Sequence, residues 1–546
     1  MNIAWRLKEQ AKKNPHKIAV KMPRRLRNGQ YNYQSITFKE LDQKSDHYAS
    51  SLLKSGAKRG DRVLFFMRPS LKFHAMVFAL YKARLVPVMI DPGMGRKNLL
   101  KCIQDCKPTV MVAESEVFLA KKIFSKNFEG IKLGISTGRF KFGADLSEKD
   151  LLNITQEAID FESTPDDELA AILFTSGGTG SPKGVLYTHG IFDRQTSMLQ
   201  DLFNLNPEET DLPGFPLFSL FTLAMGMTSV IPDMDPRKPA QCNPETLVKN
   251  IIDNQCTFVA GSPAIWERVA NFCMTNQIKL PSVKYVVMFG APVRHEIHEM
   301  FQSILPNGDT FTPYGATECL PVSMANGKKL LEHTKEKSLH GLGTCVGKAV
   351  PGVSVKIIKT SVETINHLHE ATLLPTHEIG EIIVCGPTVT LGYDGNPEAT
   401  AKSKINSAEG IYHRMGDVGY LDEDGNLWFC GRAAHIFSHE NTVKYSIPTE
   451  AIFNNHPEVK RSALITYKKG NVIKPAIAIE LKNIKKTSCA RRDEITRELR
   501  AKASAYKHTQ DIETIFYAKS FPVDVRHNIK IDRKKLGEAA SNGELL

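Results

Sequence analysis

Residues 173–190 read LFTSGGTGSPKGVLYTHG, a short apolar strand pattern that runs into a loop rich in glycine and hydroxyl side chains. Glycines let the backbone approach an oxyanion, hydroxyls and amides donate hydrogen bonds to it, and Lys183 adds positive charge. The segment is not a Walker A loop, because Pro182 stands where that motif needs a glycine before its lysine. Composition alone also allows a surface loop without a ligand. The Pro-Lys-Gly run behind the hydroxyl and glycine positions favours phosphate binding.

Outward from this loop, strand and helix patterns alternate. Strand-like runs occur at residues 62–66, 170–174 and 285–289, and residues 38–55 have apolar positions at helical spacing. This alternation predicts an α/β architecture with largely parallel sheets. From about residue 353 to 431 the pattern changes to short strands with glycine and aspartate turns, and Asp424-Gly425 indicates a hairpin. A compact α+β unit is expected after Arg432, with the boundary near residues 432–436.

Length and composition restrict the class of protein. The 546 residues correspond to roughly three to four folding units. With 42% hydrophobic and 24% charged residues, the chain is neither collagen-like, low-complexity nor a coiled coil. Ten scattered cysteines without a CxxC pair indicate reduced thiols. The N-terminus lacks the apolar core of a signal peptide, and the apolar run 217–231 is shorter than the roughly 20 residues of a spanning helix. We expect a soluble cytoplasmic protein.

The net charge of +12 lies mostly in residues 433–546. A basic segment suits polyphosphate ligands, nucleic acid or an anionic membrane face, although a solvated lysine-rich surface gives the same count. No basic stretch is interleaved with aromatic residues, so we predict no nucleic-acid partner. Residues 295–299 (HEIHE) place two histidines three apart instead of four, which excludes a zincin helix and predicts a helix surface.

Further motifs follow the loop in a fixed order. They are GAP at residues 290–292, YGATE at 314–318, HRMGD at 413–417 with Gly431-Arg432 behind it, and NIKIDR at 528–533. Together with the loop, they resemble the adenylate-forming superfamily of AMP-binding enzymes, which includes acyl-CoA synthetases. The resemblance extends over roughly residues 35 to 536. It implies an α/β fold: a large N-terminal domain, residues 1–432, of layered α/β subdomains with a small β-barrel-like part, and a small mobile α+β C-terminal domain, residues 433–546.

The resemblance also assigns roles to residues. It implies ATP and Mg²⁺ as cofactors, with Lys530, Thr317 and Glu318 as catalytic residues and Glu318 as the Mg²⁺ ligand. Such roles suit acyl adenylation, in which the protein positions two anions and neutralises phosphate charge. The acyl pocket is expected at Phe218, Ser219 and Phe221. The residues assigned to ATP binding are Thr175, Ser176, Gly177, Gly178, Thr179, Gly180, Lys183, Gly290, Ala291, Pro292, Tyr314, Gly315, Ala316, Thr317, Asp417 and Arg432.

Departures from the family pattern concern the acceptor of the acyl group. His435 replaces the usual hinge Asp or Lys, residues 437–441 (FSHEN) replace a glycine turn, and Ser219 stands where many CoA ligases have a histidine. Residues 314–323, 345–352 and 413–432 resemble the β-lactone synthetases of bacterial head-to-head olefin biosynthesis. In that branch a 2-alkyl-3-hydroxy fatty acid is adenylated, and its own 3-hydroxyl then displaces AMP.

Two alternatives remain open at this point. One is a fatty-acid–CoA ligase or fatty acyl-AMP ligase that transfers the acyl group to CoA or to a carrier protein. The more remote one is a non-catalytic nucleotide-binding protein. CoA is therefore an open question. The expected partners are a fatty-acid-type small molecule, other enzymes of a lipid pathway and, through peripheral contact, a membrane.

Overall fold

The computed structural model describes residues 1–175, 182–439, 442–470, 472–523 and 531–546. The predicted ATP-binding residues Ser176, Gly177, Gly178, Thr179 and Gly180 and the predicted catalytic Lys530 lie outside the described residues. The side chain of Thr175 lies outside them as well, although its backbone ends a strand.

The strands are numbered in chain order. They are β1 (Ile18–Arg25), β2 (Tyr31–Thr37), β3 (Arg62–Phe66), β4 (Val86–Met89), β5 (Val110–Ala113), β6 (Leu133–Ser136), β7 (Leu146–Ser147), β8 (Leu169–Thr175), β9 (Lys183–Thr188), β10 (Thr210–Pro213), β11 (Thr228–Val230), β12 (Phe258–Gly261), β13 (Tyr285–Met288), β14 (Asp309–Ala316), β15 (Cys319–Asn326), β16 (Thr344–Ala349), β17 (Ser354–Ile358), β18 (Gly380–Cys385), β19 (Lys404–Ser407), β20 (Gly410–Leu421), β21 (Asn426–Arg432), β22 (Phe437–His439), β23 (Thr442–Lys444), β24 (Val459–Lys469), β25 (Val472–Leu481) and β26 (Ile515–Tyr517).

The α-helices are numbered in the same way. They are α1 (Ala4–Lys13), α2 (Phe38–Lys54), α3 (Leu71–Lys82), α4 (Arg96–Cys106), α5 (Ser115–Ile123), α6 (Glu148–Leu152), α7 (His189–Phe203), α8 (Ser219–Ala224), α9 (Pro244–Asn254), α10 (Pro263–Thr275), α11 (His295–Ile304), α12 (Gly327–His333), α13 (Lys335–Leu339), α14 (Pro397–Ser403), α15 (Ser446–Asn454), α16 (Cys489–Ser504) and α17 (Arg533–Ser541).

Two sheets form the N-terminal part. One has the order β7-β6-β5-β3-β4-β8-β9 and is parallel except for the β8–β9 pair. The other has the order β17-β18-β20-β21-β16-β15-β14-β13-β12-β10-β11-β1-β2, with β19 paired to β20. It is parallel from β14 to β1 and antiparallel from β14 to β17. A barrel-like part was expected in this region, and the structure has these antiparallel strands there, as a continuation of the larger sheet. The predicted α/β class is confirmed.

Residues after Arg432 form a separate small arrangement. The strands β24, β25 and β26 make a sheet on which α15, α16 and α17 pack. The short pair β22–β23 follows a 3₁₀ helix at Ala433–His435. This is the α+β unit that the change of pattern after Arg432 predicts.

Local sequence explains several of these elements. Helix α2 begins at a capping box, because the Thr37 hydroxyl accepts from the Glu40 amide and the Glu40 carboxylate accepts from the Thr37 amide. Helix α11 forms where HEIHE predicts a helix, but the expectation of a surface position is wrong for His298. Its side chain is buried, with Nδ1 2.7 Å from the Thr310 hydroxyl.

The larger sheet buries a carboxyl group. Asp211 on β10 accepts a hydrogen bond from the Thr222 hydroxyl at 2.7 Å through Oδ2, while its Oδ1 has no partner. Burial raises the pKa of Asp211 to about 7. A raised carboxyl pKa in the core is the result expected when desolvation is not offset by a nearby cation.

Candidate functional site

A cleft of about 2000 Å³ lies between the two sheets and the C-terminal α+β unit. Predicted motifs on separate elements meet there: Gly290, Ala291 and Pro292 after β13, residues 314–318, and Asp417 with Arg432. Ile531 and Arg533 of the C-terminal unit line it too. These two residues belong to the motif 528–533 that was predicted to carry the catalytic lysine, and they are described residues of that motif.

Thr317 and Glu318 lie at the tip of a tight hairpin. Strands β14 and β15 pair with Ala316 opposite Cys319, so these two residues form the connection between the strands. Gly315 allows the close approach, since a Cβ there would lie 2.7 Å from the Cys319 carbonyl oxygen. The sheet thus presents a hydroxyl and a carboxylate side by side at the cleft.

Asp417 and Arg432 face each other across the β20–β21 hairpin. Their strands pair in a register that sets the two residues directly opposite, and Arg432 Nη1 lies 2.7 Å from Asp417 Oδ1. The Tyr314 hydroxyl donates to Asp417 Oδ2, also at 2.7 Å. Burial raises the pKa of Asp417 above its usual range, while Arg432 and Tyr314 lower it. The ion pair therefore favours the ionised carboxylate that can accept two ribose hydroxyls.

A segment that sequence reasoning missed holds Glu318. The Tyr393 hydroxyl donates to Glu318 Oε1 at 2.8 Å. The amide and hydroxyl of Thr390 donate to the Glu318 carbonyl oxygen at 2.9 and 3.1 Å. Behind them, the ammonium of the buried Lys404 donates to the Thr390 carbonyl oxygen. Burial lowers the pKa of Lys404 to about 8, although Glu318 acts to raise it.

The same segment is tied to the other sheet. Asp394 receives two hydrogen bonds from Arg62 on β3, at 2.9 and 2.7 Å, and its amide donates to the Gly184 carbonyl oxygen at 2.7 Å. The Lys183 ammonium lies 4.6 Å from the centre of the Tyr393 ring. Residues 390–394 thus connect Glu318 to the strand that follows the predicted phosphate loop.

Aromatic side chains form the apolar wall of the cleft. The Phe218 and Phe289 rings stack with centroids 4.4 Å apart, and Phe221 lies 5.9 Å from Phe218. The predicted pocket residues Phe218 and Phe221 both line the cleft. Such a surface suits a hydrocarbon chain, since it removes apolar area from water on binding.

Ser219 points elsewhere. It is fully buried, and its hydroxyl lies 2.8 Å from His74 Nε2. His74 Nδ1 donates to the Ser70 carbonyl oxygen at 2.8 Å, so Nε2 of the neutral ring is an acceptor. The single proton of the Ser219 hydroxyl has two acceptors within reach, His74 Nε2 and the Pro216 carbonyl oxygen at 2.5 Å. Burial lowers the pKa of His74 to about 4, which agrees with a neutral ring. Ser219 therefore anchors the start of α8 and does not extend a side chain into the acyl pocket.

The junction after Arg432 also borders the cleft. His435 lines it, and burial first, then repulsion from Arg533 and Arg432, lowers the pKa of His435 to about 4. The His435 imidazole is therefore uncharged at neutral pH. On the C-terminal side, Arg533 holds the buried Glu450 with contacts of 2.8 and 2.9 Å.

The donors present fit ATP and Mg²⁺. Within the described ranges, no group of three or more His, Cys, Asp or Glu side chains could hold a metal ion. Mg²⁺ needs no such cage, because it binds through one or two carboxylates together with substrate phosphates. Glu318 meets that requirement, since Tyr393 engages only Oε1.

This fold and this site define an adenylate-forming enzyme. Residues 7–394 match the AMP-binding enzyme family, and the chain belongs to that family. An olefin beta-lactone synthetase of Xanthomonas campestris pv. campestris is 37% identical over 544 residues, which cover 98% of this chain and 96% of the relative. One of Stenotrophomonas maltophilia is also 37% identical, covering 99% and 98%. The family resemblance inferred from the motifs is confirmed.

Solved structures share the fold. The anthranilate CoA ligase AuaEII in complex with anthranoyl-AMP has a TM-score of 0.80 at 18% identity and covers 100% of this chain and 98% of its own. The amide bond synthetase McbA from Marinactinospora thermotolerans has a TM-score of 0.78 at 21% identity, covering 98% of each chain. No described helix is both long and apolar enough to cross a membrane.

Proposed function

We propose that this enzyme adenylates a long-chain 3-hydroxy fatty acid, with a 2-alkyl branch, and then closes it to a β-lactone. The observation that carries the proposal is the full-length likeness to two olefin beta-lactone synthetases. In the first step a carboxylate oxygen attacks the α-phosphorus of ATP and pyrophosphate leaves. In the second the 3-hydroxyl oxygen attacks the acyl carbon, its proton is released and AMP leaves.

The residues of the cleft suit these steps. Asp417, whose ionised form Arg432 favours, would accept the ribose hydroxyls, and the backbone after β13 would flank the adenine. Glu318 would hold Mg²⁺, which supplies positive charge to the phosphate oxygens when bound. Thr317 would donate to the α-phosphate. We propose that Lys530 neutralises the negative charge that develops between the carboxylate and that phosphate.

The second step needs no separate acceptor site. A hydroxyl already bonded to the substrate has the effective-molarity advantage of an intramolecular reaction, although ring strain offsets part of it. We propose that residues 1–432 form the adenylation domain and residues 433–546 a lid. Because no separate acceptor has to enter, a large rotation of that lid is not required. The neutral His435 suits this, since it anchors a hinge contact more weakly than a charged side chain does.

Product analysis tests the proposal. Purified enzyme, ATP and Mg²⁺ are incubated with a 2-alkyl-3-hydroxy acid or with an unsubstituted fatty acid, each with and without CoA, and products are identified by NMR. We expect lactone and AMP from the hydroxy acid without CoA, and stalled acyl-AMP from the plain acid. Accumulation of thioester, with AMP release that rises steeply with CoA, would replace the proposal by a fatty-acid–CoA ligase. Absence of ATP–pyrophosphate exchange with either acid would indicate a non-catalytic binder.

We further propose that other enzymes of a lipid pathway supply the acid to this enzyme and receive the lactone from it. A water-insoluble acid must be delivered, and a strained lactone must be consumed before it hydrolyses. The catalysts required are one that makes 3-hydroxy acids and one that opens or decarboxylates β-lactones.

A further inference from the structure

An exposed apolar cluster lies on the seven-stranded-sheet side of the molecule. Its side chains are Leu119 (43% exposed), Ile123 (73%), Phe140 (54%) and Phe142 (41%). In the described part of the chain, Phe140 and Phe142 are the only phenylalanines among the exposed large hydrophobic residues. Contiguous apolar surface of this kind marks an interaction site more often than isolated exposed residues do. We call these four residues the apolar patch.

The patch is built from two adjoining elements. Leu119 and Ile123 lie one turn apart on the outer face of α5. The loop with Phe140 and Phe142 runs beside that helix: the Ser115 hydroxyl accepts from the Phe140 amide at 3.0 Å and lies 2.6 Å from the Phe140 carbonyl oxygen. The two phenylalanine rings contact each other with centroids 5.4 Å apart. The apolar side chains therefore belong to one fixed surface.

Positive charge surrounds the patch. Residues 115–143 contain six Lys and Arg, including Lys121, Lys122 and Arg139, against two glutamates. The Arg139 guanidinium lies 5.4 Å from the Phe140 ring centre, and a Cβ placed on Gly143 would lie 3.2 Å from Lys122 Cε. Apolar side chains with cations beside them match the interface of an anionic bilayer, which receives the apolar groups and attracts the cations.

The patch is one helix away from the cleft. The inner face of α5 contributes Val117 and Ala120 to the cleft lining, while its outer face carries Leu119 and Ile123. A bilayer that contacts the outer face would lie close to an apolar part of the substrate cleft. A surface that binds lipid would be useful at this position because the long-chain acid proposed above as substrate dissolves poorly in water.

We propose that the apolar patch and its surrounding cations dock this enzyme on anionic membrane surfaces. The inference concerns a surface outside the catalytic residues and does not depend on the acceptor chemistry proposed above. A partner protein or a second copy of the chain would also cover apolar groups, but neither requires cations beside them. An anionic bilayer does require them, because the cations bind its negative surface.

Vesicle co-sedimentation of the full chain tests this proposal. Vesicles of phosphatidylcholine alone are compared with vesicles containing phosphatidylglycerol, at low and high salt. We expect binding only to the anionic vesicles, weakened by salt, and lost by about tenfold or more in Phe140→Ser/Phe142→Ser. Lys121→Glu/Lys122→Glu should lose binding through charge alone. ATP–pyrophosphate exchange should be unchanged in both variants, which shows that they fold.

A matched control is available on the C-terminal unit. Val472 and Ile473 are also exposed and lie near lysines, but far along the chain from α5. Val472→Ser/Ile473→Ser should bind anionic vesicles like the unmodified protein. Loss of binding in this control but not in the phenylalanine variant would overturn the proposal, as would equal binding to both vesicle types. If the phenylalanine variant instead changes the oligomeric state in analytical ultracentrifugation, without vesicle binding by the unmodified protein, the patch is a protein interface.

Discussion

Replacement of Arg432 by methionine should separate the effect of its charge on Asp417 from its effect on packing. An opposite charge about 4 Å away contributes about 4 kcal/mol at the effective dielectric of a protein surface. The Arg432 side chain is 43% exposed, so solvent screening reduces this. We take half, about 2 kcal/mol, which corresponds to about 30-fold in an equilibrium constant. The ion pair is therefore expected to shift the ionisation equilibrium of Asp417 by a measurable amount.

The sign of the pH dependence follows from the pKa of Asp417. Burial already raises this pKa above its unfolded value, and loss of Arg432 would raise it further. The folded variant then binds more protons than the unfolded chain, so its free energy of unfolding should increase as pH falls. ATP binding should change in the opposite direction, because the ribose hydroxyls need an ionised acceptor. ATP affinity of Arg432→Met should thus weaken as pH falls from 8 to 6.

Isothermal titration of ATP and thermal unfolding, each across that pH range, measure the two effects. Arg432→Lys serves as the control, since it keeps the charge and loses only the planar guanidinium. It should retain most of the affinity and show little pH dependence. Equal losses at all pH values in Arg432→Met, with parallel changes in stability and affinity, would refute the assignment and indicate a purely structural role.

Three further outcomes are expected. Tyr393→Phe removes a hydrogen bond to the Glu318 carboxylate, worth about 1.5–3 kcal/mol for a charged acceptor. It should raise the Mg²⁺ concentration needed for half-maximal pyrophosphate exchange, and an unchanged Mg²⁺ dependence would contradict the role of Tyr393. Asp211→Asn should be more stable than the unmodified protein at pH 8 by up to about 4 kcal/mol, because the pKa of Asp211 is raised to about 7. This advantage should vanish toward pH 4, and a difference between the two proteins in thermal unfolding that stays constant with pH would argue against it. Lys530→Ala should lose adenylation by about 10²–10⁴-fold with a smaller change in ATP affinity, and exchange at the original rate would remove Lys530 from the site.

Local patterns predicted much of the fold. The strand predicted at residues 62–66 coincides with β3, and the helix predicted at 38–55 ends one residue earlier in the structure. Asp424-Gly425 predicted the hairpin whose register sets Asp417 opposite Arg432. These features depend on side-chain periodicity and turn chemistry within about 20 residues, which a sequence displays directly.

Long-range contacts of the site could not be predicted in the same way. Tyr393 reaches a carboxylate 75 residues earlier in the chain, and His74 reaches Ser219 across 145 residues. Neither residue lies in a recognisable motif, and each gains its role only because strand order brings separate segments together. Lys404 lies at the start of β19, and no motif in the sequence marks it. Burial, which makes that lysine notable, is a property of the folded sheet.

The double contact between Arg62 and Asp394 has a consequence for how the enzyme handles its substrates. It joins the segment that holds Glu318 to a strand of the opposite sheet, so the two walls of the cleft cannot separate without breaking a two-pronged ion pair. We expect the described part of the nucleotide site to keep this arrangement when ATP binds, with little loss of conformational entropy there. We expect the motion that turnover requires to lie in the short connection after Arg432. Substitutions in that connection should alter turnover more than affinity for ATP.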